Sequence, residues 1–249
     1  MRITTVLAGA LAALALSAAP AAAQGRWLVS YPEAQDPMFA AMQQMFASQD
    51  MLSSMVDPLN EYFPVSRDVT VELAECGRAG AFYDAERPAV QLCYELVVEL
   101  AEALMGDGAE EGGDDVFVGA FALILLHQVG HAMVDLLELP VRVGPEEAAD
   151  QLAAVMVGFA EDELATAAEG ALALNEMLVD WENPGSGRAA LSGRRLETLL
   201  CLLYGTNPDA HGWLLEEGNL SEERAARCEE EYEKVEANWI DMLSQHVAG

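Results

Sequence analysis

Val116-Phe-Val-Gly-Ala-Phe-Ala-Leu-Ile-Leu-Leu126 runs without a break into His127-Gln-Val-Gly-His131. An almost wholly apolar run of this kind predicts a helix buried on every side, and it is too short to cross a bilayer. The two histidines stand four apart, so on that helix both imidazoles point the same way and can bind one metal ion. A polar ring at the end of so apolar a helix must find a partner or carry a desolvation cost. A shared metal explains two such rings better than separate core hydrogen bonds do. The stretch is one residue away from the His-Glu-x-x-His signature of zinc peptidases, where the Glu takes a proton from zinc-bound water. Here that position is Gln128, a neutral amide that accepts a hydrogen bond but takes up no proton at ordinary pH. Gly130 costs roughly 1 kcal/mol against alanine inside a helix, which implies that something packs closely against this turn.

A zinc site of this type needs a third protein ligand and leaves a fourth position for water. Leu139-Pro140 ends the histidine helix, and Gly144-Pro145 opens another with proline at its favourable first position. Glu146, Glu147 and Asp150 follow His131 by 15, 16 and 19 residues. Glu146 and Asp150 are four apart and share one helical face. We therefore expect Glu146 on the metal and Asp150 behind it, orienting a histidine through its other ring nitrogen. Glu147 is the alternative ligand. Pro-Glu-Glu also reads simply as a good helix start, since the helix dipole favours carboxylates there. Glu147 and Asp135 are the acids that could stand in for the missing base. His211 and His246 lie in polar surroundings and read as surface residues.

The remaining chain bounds the context. Residues 1–23 read as a secretory signal peptide: Arg2, an apolar stretch from Val6 to Ala19, then Ala21-Ala-Ala23 as the cleavage site. Residues 24–249 are expected to form one domain, secreted or periplasmic, with no membrane span after cleavage. The cysteines number four, Cys76, Cys93, Cys201 and Cys228, which suits disulfides in an oxidising compartment. Three pairings are open, and loop closure favours Cys76–Cys93 with Cys201–Cys228. A four-cysteine zinc site is the rival reading, but no pair has the close spacing that such sites use. Forty-two acidic residues against 12 basic ones give a net charge of −30, which excludes nucleic acid and other polyphosphate partners. A peptide or protein ligand remains open, and the oligomeric state is not legible.

Hydropathy patterning predicts a mainly helical α+β fold. Residues 24–36 read as an irregular lead-in. From Asp36 to about Met55, Met38, Met42 and Met45 recur at helical spacing and read as core. Val69–Leu73 and Ala89–Cys93 read as two strands of a hairpin-like pair with a long loop. Tyr94–Met105 reads as a helix running into the glycine-rich acidic loop 106–115, whose spacing matches no known calcium loop. Helical pattern continues from Pro145 through Phe159 and over Leu164 to Trp181; 183–188 is a loop, and Leu196–Tyr204 a short helix. A last helix is capped by Ser221, with an inward seam of Ala225, Cys228, Tyr232, Val235, Trp239 and Met242.

Several of these segments together resemble a secreted bacterial family classed as putative metallopeptidases, a domain of unknown function. They are Cys76-Gly with Ala81-Phe-Tyr, Leu92-Cys-Tyr-Glu-Leu96, the histidine motif with Leu139-Pro-Val, Glu146-Glu-Ala-Ala-Asp-Gln-Leu-Ala153, Cys201-Leu-Leu-Tyr-Gly205 and Arg227-Cys-Glu-Glu-Glu-Tyr232. The resemblance covers most of residues 36–245. It implies a zincin-like fold with a small β-hairpin or sheet beside a helix bundle, zinc on His127, His131 and Glu146, and both cysteine pairs. The resemblance implies that members usually carry Glu where this chain has Gln128, so the general-base role has no residue to land on.

Overall fold

The computed structural model describes residues 25–105, 112–160, 164–176 and 193–247. The expected signal peptide, most of the glycine-rich acidic loop and the 183–188 loop lie outside these residues. In chain order the elements are β1 (Trp27–Ser30), α1 (Pro37–Ser48), α2 (Met51–Val56), α3 (Leu59–Tyr62), β2 (Val69–Ala74), β3 (Ala81–Asp84), β4 (Ala89–Cys93) and α4 (Tyr94–Met105). There follow α5 (Gly113–Leu136), α6 (Pro145–Ala160), α7 (Ala167–Glu176), α8 (Gly193–Thr206), α9 (Trp213–Glu216), α10 (Glu222–Ala225) and α11 (Cys228–Val247).

Helix α5 is the axis of the molecule. Over residues 116–126 it is apolar on every side, so that stretch has no face suited to water, and the helix is enclosed by α4, α6, α7 and the sheet. At 24 residues it is longer than the apolar run alone implied, and by length and composition it could cross a membrane; 83% of its most apolar window is buried inside the fold. Gly130 explains the tightest of these contacts. A Cβ there would lie 3.0 Å from both the Cα and the carbonyl oxygen of Ala149 on α6. Glycine lets the two backbones meet, which is the close approach expected from the sequence.

The four strands form one sheet in the order β1-β2-β4-β3. This corrects two expectations. Val69–Ala74 and Ala89–Cys93 are neighbours, but they run parallel, with Ala74 beside Cys93. The hairpin partner of β4 is β3, which the sequence pattern passed over because it is four residues long and only Ala81 is fully buried. The lead-in is likewise not irregular: β1 adds parallel to β2 at the other edge, anchored by Trp27, whose indole N–H donates to the Phe63 carbonyl at 2.8 Å.

Parallel pairing brings the C-terminal ends of β2 and β4 side by side. That is why Cys76, just past β2, bonds to Cys93 at the end of β4 across a Cα–Cα distance of 5.5 Å. Cys201 on α8 bonds to Cys228 at the start of α11, Cα–Cα 5.0 Å. The Ser221 hydroxyl caps α10 by accepting from Arg224 N–H, and the chain turns before α11 begins. On α11, Cys228, Tyr232 and Trp239 are buried and Val235 and Met242 half-buried, as the seam predicts. The methionine stripe is a correction: Met38 and Met45 are exposed and Met42 only half-buried. Helix α1 lies at the periphery and commits only Phe46 fully to the core.

Candidate metal centre

His127 and His131 leave the same side of α5 and face the first turn of α6, which the Gly130–Ala149 contact holds against them. His127 is 1% exposed. Its Nδ1 lies 2.9 Å from Asp150 Oδ1. Asp150 is a carboxylate, so Nδ1 carries the proton and donates, and Nε2 is left with its lone pair directed forward. His127 Nε2 is 3.1 Å from His131 Nε2 and 3.4 Å from Glu146 Oε2. His131 Nε2 is 3.5 Å from the same Glu146 oxygen. Three electron-pair donors from two helices therefore converge on one point.

The donor set fits a zinc ion. Two ligand atoms about 2.0–2.1 Å from one zinc at a tetrahedral angle stand about 3.3 Å apart. The three observed separations, 3.1, 3.4 and 3.5 Å, bracket that value. Glu147, the alternative ligand, is exposed and makes no ion pair with either histidine among the described residues.

Arg195, at the start of α8, completes the group and was missed in the sequence. Its Nε donates to Asp150 Oδ2 at 2.6 Å and its Nη2 to Asp150 Oδ1 at 2.8 Å. Nη2 also stands 3.7 Å from Glu146 Oε2. Burial pushes the Asp150 carboxyl up, but the hydrogen bonds from Arg195 and His127 outweigh it and hold the group below its ordinary value. A signal for Arg195 did exist: a buried carboxylate bonded to one neutral imidazole still has acceptor capacity to satisfy, and basic residues are scarce in this chain.

Gln128 is 3% exposed and lines a cleft of about 430 Å³ with Phe82, Tyr83, His131, Asp135 and Glu146. The cleft runs beside β3, whose outer edge carries no strand among the described residues. The Tyr83 hydroxyl donates to Asp135 Oδ2 at 2.7 Å. Burial and that carboxylate raise the tyrosine above its ordinary value, so it stays protonated. Asp135 is thus on the wall of the cleft and committed to Tyr83. Of the other histidines, His246 has a side chain outside the described atoms, and His211 is a correction. It is 3% exposed, with burial lowering its proton affinity. The loop Asn207–Gly212 folds its ring inward, beneath the polar neighbours that made it look superficial.

The chain belongs to the family described as "Putative metallopeptidase", whose model matches residues 31–243. No curated protein and no solved structure matches it.

Proposed function

We propose, from its membership of that family, that this chain is a zinc-binding protein of metallopeptidase type whose hydrolysis of peptide bonds is weak or absent. His127, His131 and Glu146 hold the ion, Asp150 orients His127, and Arg195 fixes Asp150. The observation that carries the reading is the triangle of donor atoms with edges of 3.1–3.5 Å. Zinc bound there supplies Lewis acidity and a bound water of lowered pKa.

The weak step is the proton. A carboxylate at position 128 would accept one from that water; Gln128 cannot, and loss of a positioned general base lowers rates by about 10²–10⁴. Asp135 gives no ready substitute, since it already accepts from the Tyr83 hydroxyl. The ligand we assign is a polypeptide in extended form, because the cleft lies along the edge of β3 that carries no strand among the described residues, and backbone groups there can pair with an added strand. A net charge of −30 turns away polyphosphates and anionic lipid surfaces. We also propose export, with cleavage near Ala23; N-terminal sequencing of the mature protein should begin near Gln24, and an intact Met1 terminus would refute it.

The test of activity compares zinc-loaded wild type with Gln128→Glu on a mixed peptide library. Slow or no cleavage by wild type and clear cleavage by the variant supports the reading. Equal rates would contradict it.

A further inference from the structure

Gln128 is the residue that the proposed chemistry leaves unused. Its side chain is 3% exposed, yet among the described residues its carboxamide has no hydrogen-bond partner. Its amide atoms are not among the wholly buried, unpartnered polar atoms, so the side chain reaches the cleft rather than being sealed in the core. That cleft, of about 430 Å³, is lined by Gln128 together with Phe82 and Tyr83 of β3 and with His131 and Glu146 of the metal group.

Charge then selects the ligand. Two neutral imidazoles and the Glu146 carboxylate around a divalent cation leave one unit of positive charge at the metal group, while Asp135, elsewhere on the cleft wall, carries a negative charge bonded to the Tyr83 hydroxyl. The neighbouring Asp150 and Arg195 cancel each other through their paired hydrogen bonds. A glutamate at position 128 would cancel the remaining charge and repel an anion. Glutamine leaves the charge and adds an N–H donor beside it, which is the combination that binds a carboxylate.

We propose that Gln128 makes this a carboxylate-binding site, in which its amide N–H donates to a peptide-borne carboxylate held at the metal group. Peptides with a free C-terminus, the products of a peptidase, are the ligands of this chemistry that fit a cleft along a strand edge. An internal Asp or Glu side chain presents the same group. The inference rests on the zinc assignment above.

Calorimetry on zinc-loaded full chain tests it, with zinc content measured first so that loss of the metal is seen separately. The probes are one short peptide with a free C-terminus, its C-terminal amide, and the amide carrying one internal Glu, each verified intact by mass spectrometry after the titration. Wild type should prefer a carboxylate-bearing peptide over the plain amide by roughly ten- to hundredfold, the range for a hydrogen bond to a charged group. The free-terminus and internal-Glu arms show which carboxylate it takes, and preference for either supports the proposal. Gln128→Glu should abolish the preference while still binding zinc, and Gln128→Leu should weaken it. Equal binding of all three peptides by zinc-loaded wild type overturns the proposal and leaves the zinc assignment standing. An unchanged preference in Gln128→Glu also overturns it.

Discussion

Arg195 grips Asp150 through two guanidinium nitrogens, at 2.6 and 2.8 Å, while the same carboxylate accepts from His127 Nδ1 at 2.9 Å. One buried acid thereby ties three helices, α5, α6 and α8, to the orientation of one imidazole. The arrangement stiffens the ring and sets which of its nitrogens is left to bind a cation.

Asp150→Asn should keep the fold and weaken zinc binding by about 10- to 100-fold, the usual effect of removing such a supporting carboxylate. Arg195→Gln should act more on stability, because it strands a mostly buried negative charge. We expect it to cost about 1–3 kcal/mol, discounted from the fully buried case because Arg195 is 20% exposed. Zinc titration and urea unfolding of both variants check this; unchanged zinc affinity in Asp150→Asn would contradict the role given to Asp150.

Gln128→Glu should raise peptide hydrolysis by about 10²–10⁴ by restoring a proton acceptor next to the metal. Initial rates at matched zinc content measure it. A variant as slow as wild type would mean that something other than the missing base limits the reaction.

Gly130→Ala places a methyl carbon 3.0 Å from Ala149 Cα and its carbonyl oxygen. Backbone cannot move aside as a flexible side chain can, so the helices must separate. The expected cost is about 1–3 kcal/mol of stability. Because α6 carries Glu146, zinc affinity should fall as well. Thermal unfolding with and without zinc reads both effects, and an unaltered Tm would show that α5 and α6 have slack.

His211 should make the protein acid-sensitive. Burial depresses its folded pKa below the ordinary 6.5, so under acid conditions the unfolded chain binds a proton that the folded one resists. Its contribution is intact above pH 6.5 and is lost as pH falls below that value. Urea midpoints between about pH 7.5 and 5.5 should decline more steeply for wild type than for His211→Gln. Parallel declines would assign the sensitivity elsewhere.

The central features were legible because they are local. Helical spacing put His127 with His131 and Glu146 with Asp150, and the apolar run before His127 announced its burial. Long-range pairing was not legible from alternation alone, since β2 and β4 look the same whether parallel or antiparallel. The cysteines held the missing clue. Were Leu73 opposite Ala89 in a hairpin, Cys93 would face about Val69. Cys76 would then lie up to about 23 Å away at about 3.3 Å per residue, too far for the disulfide expected from the same sequence. Short edge strands such as β1 and β3 carry too few buried positions to show a period. His211 was missed because its neighbours in sequence are polar although its ring is buried, and Arg195 because its partner Asp150 lies 45 residues away in the chain.

Metal content decides the matter most directly. Purified full-length protein, dialysed against trace zinc and analysed by mass spectrometry, should hold one zinc per chain. His127→Ala and Glu146→Ala should each lose it while keeping both disulfides and a cooperative melt. A folded wild type that takes up no zinc, or variants that retain it in full, would contradict the account.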